Sequence, residues 1–292
     1  MRLGAFNDDL HTDIAEASAL AAELGLDGLA VRAVGGVNIA ELDEDAVRAV
    51  SRAVRGHGLA VASIGSQFGR GLYLDDAEAT RQGQAHLQRA LRAAELCDTP
   101  LVRMFAGWLP GQESLPEWSR RPRYPECLER LVAVMAPAVA AAERQGVTLM
   151  VELEGATYVG TVAEARQFFD AMDSTALALC WDVCNGWWSG ERTADGYAAL
   201  GGLPVVDIQT KDVPATADDP AFPTFGRAVV GEGGVGYRWL LPAVVEAGYA
   251  GWITAERVHH PVKPEENPAA RKATLDDIAA LKSILAWDGV RA

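Results

Sequence analysis

Four short apolar runs in the second half of the chain end on oxygen-bearing side chains. They are Met150-Val-Glu152-Leu-Glu154, Cys180-Trp-Asp182-Val-Cys-Asn185, Asp207-Ile-Gln209-Thr-Lys211-Asp212 and Ile253-Thr-Ala-Glu256. A single carboxylate at a strand end commonly caps a helix or closes an ion pair. Four such ends in succession pose a different problem, because crowded carboxylates repel and raise one another's pKa. A divalent cation removes that penalty. Glu152, Asp182 and Glu256 offer three carboxylates and Gln209 a neutral carbonyl oxygen. An all-oxygen set suits Mg²⁺ or Mn²⁺ better than Zn²⁺, which prefers nitrogen and sulfur. The expected cofactor is therefore one divalent ion, Mn or Mg, on Glu152, Asp182, Gln209 and Glu256. The chain has only 5 histidines. His11, His57 and His86 fall away from these ends, which argues against a multi-zinc centre.

Lys211 carries separate information. It is the first lysine in the chain, and every earlier cation is an arginine. Lysine offers a compact charge that can contact a substrate oxygen or orient a carboxylate, so Lys211 is a candidate catalytic residue. The structural alternative is pairing with Asp212 or Glu154. Arg103, near the end of the fourth strand-like run, is a candidate substrate-facing cation. Trp188, beside Trp187, could wall the site, and His259 lies just beyond Glu256. A buried ion pair, helix packing and a solvated loop are their respective structural alternatives. Gly231-Glu-Gly-Gly-Val-Gly236 is glycine-rich, but no strand closely precedes it, so it makes a poor phosphate cradle.

These residues need a scaffold that holds them on one rim. Strand-like segments at 2–6, 28–34, 59–64, 100–105, 147–153, 176–181, 204–210 and 251–255 alternate with helix-like segments at 11–24, 43–55, 75–97, 125–144, 162–172, 194–200, 239–247 and 268–287. The helical stretches repeat apolar residues every three or four positions, and several close on glycine. The strands are near-continuous apolar runs, as parallel strands covered on both faces require. Eight strand–helix pairs predict an α/β protein, a single (β/α)8 TIM barrel occupying residues 1–292 as one domain. In such a barrel the chemistry sits at the C-terminal ends of the strands. No dinucleotide or P-loop glycine fingerprint follows the first strand, which disfavours a doubly wound sheet. Two long loops follow strand four (106–124) and strand seven (212–236). Trp108, Trp118 and Tyr124 favour an ordered flap in the first.

Composition narrows the partners. The formal net charge is -14, with 26 Lys+Arg against 40 Asp+Glu. That excludes an extended basic surface for nucleic acid. No apolar run reaches the ~18 residues of a membrane helix, and no signal-peptide pattern opens the chain. The 4 cysteines are too few and dispersed for a disulfide framework and read as buried thiols. A cytoplasmic protein acting on a small molecule is expected, with no nucleic-acid or membrane partner; homo-oligomerisation is left open.

The motifs resemble the xylose-isomerase-like superfamily, the sugar phosphate isomerase/epimerase group that also holds apurinic endonucleases. The likeness covers nearly the whole chain. It rests on Gly146-Val-Thr-Leu-Met-Val-Glu152-Leu-Glu154, Trp181-Asp182-Val-Cys-Asn185, Gln209-Thr-Lys211-Asp212, Gly231-Glu-Gly233 and Gly248-Tyr-Ala-Gly-Trp-Ile-Thr-Ala-Glu256. The resemblance implies that Glu152, Asp182, Gln209 and Glu256 bind one divalent metal and that Glu152 and Glu256 form an acid/base pair. It also implies substrate contacts at Glu154 and Asn185, where many members carry His. Many have His at the position of Gln209 too, although dehydroshikimate dehydratases of the superfamily can use Gln. The scarcity of imidazoles speaks against apurinic endonuclease activity.

The function these features imply is a divalent-metal-dependent isomerase or epimerase acting on a small sugar or polyhydroxy ketone through a metal-bound enediolate. The alternative is a metal-dependent lyase, dehydroshikimate- or inosose-dehydratase-like, that uses the same enolate to expel a β-hydroxyl. A non-catalytic barrel, or a subunit of a larger enzyme, ranks below both.

Gln209 supplies the first test. Imidazole must be neutral to bind metal, and amide oxygen has no such requirement. Gln209→His is expected to strengthen Co²⁺ or Zn²⁺ binding relative to Mg²⁺, and to make metal affinity fall between about pH 7 and 5.5 as the imidazole protonates near ~6.5. Metal titrations of both proteins at the two pH values check this. An unchanged ranking with no new pH dependence removes Gln209 from the ligand set.

Overall fold

The structure is a computed structural model that describes residues 1–111, 127–214, 226–257 and 263–286. Among the described residues eight strands build the main sheet: β1 (Arg2–Phe6), β2 (Gly28–Val31), β3 (Ala60–Ile64), β4 (Leu101–Met104), β5 (Thr148–Glu152), β6 (Leu177–Asp182), β7 (Val205–Thr210) and β8 (Trp252–Ala255). All pair in parallel with their sequence neighbours, and β1 pairs with β8, so the sheet closes into a barrel. This is the expected (β/α)8 architecture.

The helices between the strands are α1 (Ile14–Glu23), α2 (Glu44–Gly56), α3 (Ala77–Cys97), α4 (Leu128–Gln145), α5 (Val162–Met172), α6 (Thr193–Ala199), α7 (Tyr237–Glu246) and α8 (Pro268–Ile284). Local chemistry starts them. Asp13, Asp43, Asp76 and Asn267 accept hydrogen bonds from first-turn N–H groups, and Thr161 with Glu164 forms a capping box. Such caps satisfy donors that a helix start leaves open. The main apolar core lies between helices and barrel wall. A separate small cluster of Ala62, Leu101, Met150, Cys180 and Trp252 fills the barrel interior. Because strand side chains alternate sides, residues two positions further on from these interior ones point into the barrel mouth. That alternation aims Arg103, Glu152 and Asp182 there, along with Glu256 four residues beyond Trp252.

The structure departs from the sequence expectation in three places. The second strand is shorter than 28–34. It ends at Val31 because Asn7 Oδ1 accepts the Arg32 N–H (2.9 Å). Gly35 and Gly36, at φ of 60° and 83°, then turn the chain into a hairpin of Ala33–Val34 with Val37–Asn38. Short helices also form at Asn7–Leu10 and Val183–Trp188, directly after β1 and β6, and were not anticipated. Of the flap aromatics, Trp118 and Tyr124 lie outside the described residues. Trp108 packs edge-on to Phe105 at 6.1 Å, with the Arg70 guanidinium 5.4 Å from its ring centre. Among the described residues no helix is long and apolar enough to cross a membrane.

The lower barrel has little room to spare. A methyl group on Gly28 would stand 2.5 Å from the Ala60 carbonyl oxygen and 2.7 Å from the Trp252 ring. Gly28→Ala is expected to destabilise the fold by about 1–3 kcal/mol or more, the usual range for overpacking. Urea unfolding measures it, and a shift below about 0.5 kcal/mol would mean that Trp252 yields freely.

Candidate active site

Each predicted ligand sits at the C-terminal end of its strand, and the register brings them to one rim. Glu152 is the Cα partner of Cys180 on β6, and Asp182 the partner of Gln209 on β7. Glu152, Asp182, Gln209 and Glu256 are all buried, as is Lys211. Lys211 Nζ bridges two of them. It donates to Asp182 Oδ2 and, at 2.5 Å, to Glu256 Oε2. Its partners are thus neither Asp212 nor Glu154.

Glu152 and Glu256 each also meet a guanidinium. Arg103 on β4 donates from NH1 to Glu152 Oε2 (3.0 Å) and from Nε to the Ser66 carbonyl (3.2 Å). It packs against the rings of Phe6 and Phe105. The residue expected to face substrate is therefore buried and holds Glu152. Arg32, just past β2, donates from NH1 to Glu256 Oε1 (3.0 Å), from NH2 to Asp9 and from Nε to Asp8, above the Phe6 ring. Sequence reasoning missed Arg32, Asp8 and Asp9. The usable signal was the same one applied to later strands: Asn7-Asp8-Asp9 and Arg32 follow the ends of β1 and β2.

Electrostatics follow from these contacts. Burial alone would raise Glu256, but Lys211 and Arg32 outweigh it and hold the carboxyl at about 2. Burial opposes the charge on Lys211, yet Asp182 and Glu256 prevail and keep its pKa well above the ordinary lysine value. Glu154, two residues past Glu152, is pushed up to about 7 by burial and then by the Glu152 charge. Its Oε1 is buried without a hydrogen-bond partner among the described residues. Deeper in the barrel, burial raises Asp207 to about 7, although Thr254 donates to it at 2.7 Å.

Other predicted residues are placed as follows. Asn185 donates from Nδ2 to the Leu153 carbonyl (2.9 Å), so its amide ties the β5 and β6 ends together. Trp188 is buried, with Lys211 Nζ 5.8 Å from its ring centre. His259 and its neighbour His260 lie outside the described residues. The glycine-rich loop wraps an internal anion: Asp212 accepts from the N–H groups of Gly231, Gly233, Val235 and Val213 at 2.9–3.2 Å. Tyr237 meets the β7 backbone through its hydroxyl, 3.4 Å from the Gln209 carbonyl.

The donor chemistry fits a divalent ion. Three carboxylates and an amide come together, all oxygen donors. Both Oε1 and Nε2 of the fully buried Gln209 lack a hydrogen-bond partner among the described residues. A buried amide left so costs free energy unless something pairs with it. As the side chains stand, however, no three His, Cys, Asp or Glu groups among the described residues are arranged to hold a metal. Asp182 spends one oxygen on the Asn185 N–H as a helix cap and the other on Lys211.

A closed parallel barrel with an oxygen-rich, cation-compensated mouth defines a TIM-barrel protein with its polar site on the strand ends. The sequence profile of xylose isomerase-like TIM barrels matches residues 18–284, and the chain belongs to that family. Solved structures agree. A D-psicose 3-epimerase from Clostridium cellulolyticum H10, crystallised with D-tagatose, superposes with a TM-score of 0.72 at 16% identity, covering 98% of this chain and 99% of that one. The probable 3-DHS dehydratase AsbF from Bacillus anthracis gives 0.71 at 15% identity, covering 97% and 99%. The IOLI protein, with a bound zinc atom, gives 0.75 at 14% identity, covering 98% of each chain. At such identities the likeness shows the fold alone. No curated protein sequence matches the chain significantly.

Glu256 sets an expectation for acid stability. Its folded value of about 2 lies below the ordinary 4.5, so its contribution is complete above about pH 4.5 and is lost as pH falls towards 2. Arg32→Met removes one of its two cations and should move the acid-unfolding midpoint to higher pH, followed by tryptophan fluorescence. An unmoved midpoint would contradict the Arg32–Glu256 pair.

Proposed function

We propose that the chain is a divalent-metal-dependent isomerase or epimerase acting on a small sugar or polyhydroxy ketone. The observation that carries this reading is the pairing of Glu152 and Glu256, from non-adjacent strands, each fixed by its own arginine on either side of Asp182 and Gln209. Glu152, Asp182, Gln209 and Glu256 would hold the ion. Such an ion acts as Lewis acid and template for a ketone and its neighbouring hydroxyl.

The chain's own groups then divide the work. Before an ion binds, Arg32 and Lys211 hold Glu256 ionised, so it serves first as an anionic ligand and accepts a proton only under strong demand. Glu152 is the stronger candidate for removing the α-proton, with Arg103 fixing one of its oxygens and hence its direction. Trp188 supplies an apolar wall beside Lys211, and the Lys211 ammonium can donate to a developing oxyanion. Proton return at a different carbon, or on the opposite face, gives isomer or epimer. General acid–base groups must reach the proton they move, and burial here excludes competing water.

Glu154 favours a second reading. A carboxyl held up to about 7 is partly protonated at neutral pH and can act as an acid. Loss of a β-hydroxyl from the same enolate needs such an acid, and the product is then that of a lyase. Similarity to both an epimerase and a probable dehydratase fits either outcome.

Glu152→Gln and Glu256→Gln should each lower turnover at least ~100-fold, the lower range for losing acid–base catalysis. The assay is a screen of polyhydroxy ketones with Mn²⁺ in deuterated water, read by NMR for exchange α to the carbonyl and for product. A variant that keeps metal and near-normal exchange reduces that glutamate to a ligand. Absence of exchange and of turnover with every ketone would refute the isomerase, epimerase and lyase readings together.

A further inference from the structure

We infer that Lys211 is a tethered cation occupying the place of the divalent ion, so that metal loads only by displacing the ammonium. The inference rests on the metal reading above and extends it to a determinant of affinity.

The first support is geometric. Lys211 Nζ touches Asp182 Oδ2 and Glu256 Oε2, two of the four oxygens' residues assigned to the ion. A group bridging those two carboxylates stands where a shared ion would bridge them. The second support is charge. Glu152, Asp182 and Glu256 already meet Arg103, Lys211 and Arg32, the last shared with Asp8 and Asp9, so each of the three has a cation at contact distance with the ammonium in place. Adding two positive charges beside the ammonium is far less favourable than adding them after it has left.

The third support concerns which cation can leave. Arg32 is fixed by Asp8, Asp9, Glu256 and the face of Phe6, and Arg103 by Glu152, the Ser66 carbonyl and two rings. Among the described residues Lys211 Nζ hydrogen-bonds to the two carboxylates that a metal would take over and to no other group, on a flexible four-carbon stem. A destination lies within the same mouth. Glu154 Oε1 is buried without a hydrogen-bond partner among the described residues, and the Trp188 ring already lies 5.8 Å from the ammonium. Moved towards Glu154, the ammonium exchanges two carboxylates for one, and the loaded ion compensates the two it leaves.

Binding of Mn²⁺ to the full-length protein, followed by the EPR signal of the free ion and by calorimetry, tests this with Lys211→Met beside the wild type. The methionine keeps the stem and removes the charge. The variant should bind Mn²⁺ at least about tenfold more tightly, since a competing charge at contact distance has gone. Its melting temperature without metal should fall, because two carboxylates lose their partner, and Mn²⁺ should raise it by more than it raises the wild type's. Equal affinities in the two proteins would overturn the exchange and leave the metal reading standing. Binding by neither, with both folded, would overturn the metal reading itself. If Lys211→Met is unfolded without metal, recovery of its native tryptophan fluorescence on adding Mn²⁺ supports the exchange, and failure to recover contradicts it.

Discussion

Three buried carboxylates at the mouth of the barrel, Glu152, Asp182 and Glu256, each meet a positive charge within hydrogen-bond reach, and much of the upper barrel is arranged around those pairs. An unpaired ionised carboxylate in a low-dielectric interior costs several kcal/mol even after relaxation. Glu152, Asp182 and Glu256 are all buried, and each meets a cation from another strand end: Arg103, Lys211, or Arg32 together with Lys211. The cations belong to β2, β4 and β7 and the anions to β5, β6 and β8. Each of these pairs therefore joins two different strands.

The two kinds of cation divide the mouth into a frame anchored on several acceptors and a centre held by two carboxylates. A guanidinium carries several donors in one plane and can serve several acceptors at once. Arg32 does so for Asp8, Asp9 and Glu256, and Arg103 for Glu152 and a backbone carbonyl. Both also lie against Phe6 at the end of β1. Lysine delivers one compact charge on a flexible stem, and it sits where the carboxylates converge. Replacing Arg32 by lysine would give up two of its three acceptors even though the charge is conserved.

Support continues outward into the loops. Asp182 caps the helix that follows β6, and Asn185 in that helix reaches back to the end of β5. Next to Lys211, Asp212 gathers four N–H groups of its surroundings, and Gly233 can approach it because a Cβ there would stand 2.2 Å from Asp212 Oδ1. The glycines thus serve a carboxylate of the chain itself, using the same N–H chemistry that would hold a phosphate.

Much of this was legible in the sequence because it depends on local patterns. Alternating strand and helix signals required a barrel, and the closing glycines marked helix ends. Positions at the ends of four successive apolar runs placed Glu152, Asp182, Gln209, Lys211 and Glu256 on one rim of the barrel. What the sequence could not decide is which charge meets which. Lys211 and Glu256 are 45 positions apart, and Arg32 and Glu256 are 224 apart. Closure of β1 onto β8 puts the end of β2, and with it Arg32, within reach of Glu256. Arg103 looked free to meet a substrate because its partner, Glu152, lies on the next strand, and strand neighbours are set by register. Residue type and spacing determined the chemistry available at the rim; long-range pairing, which no local pattern encodes, decided how its charges are spent.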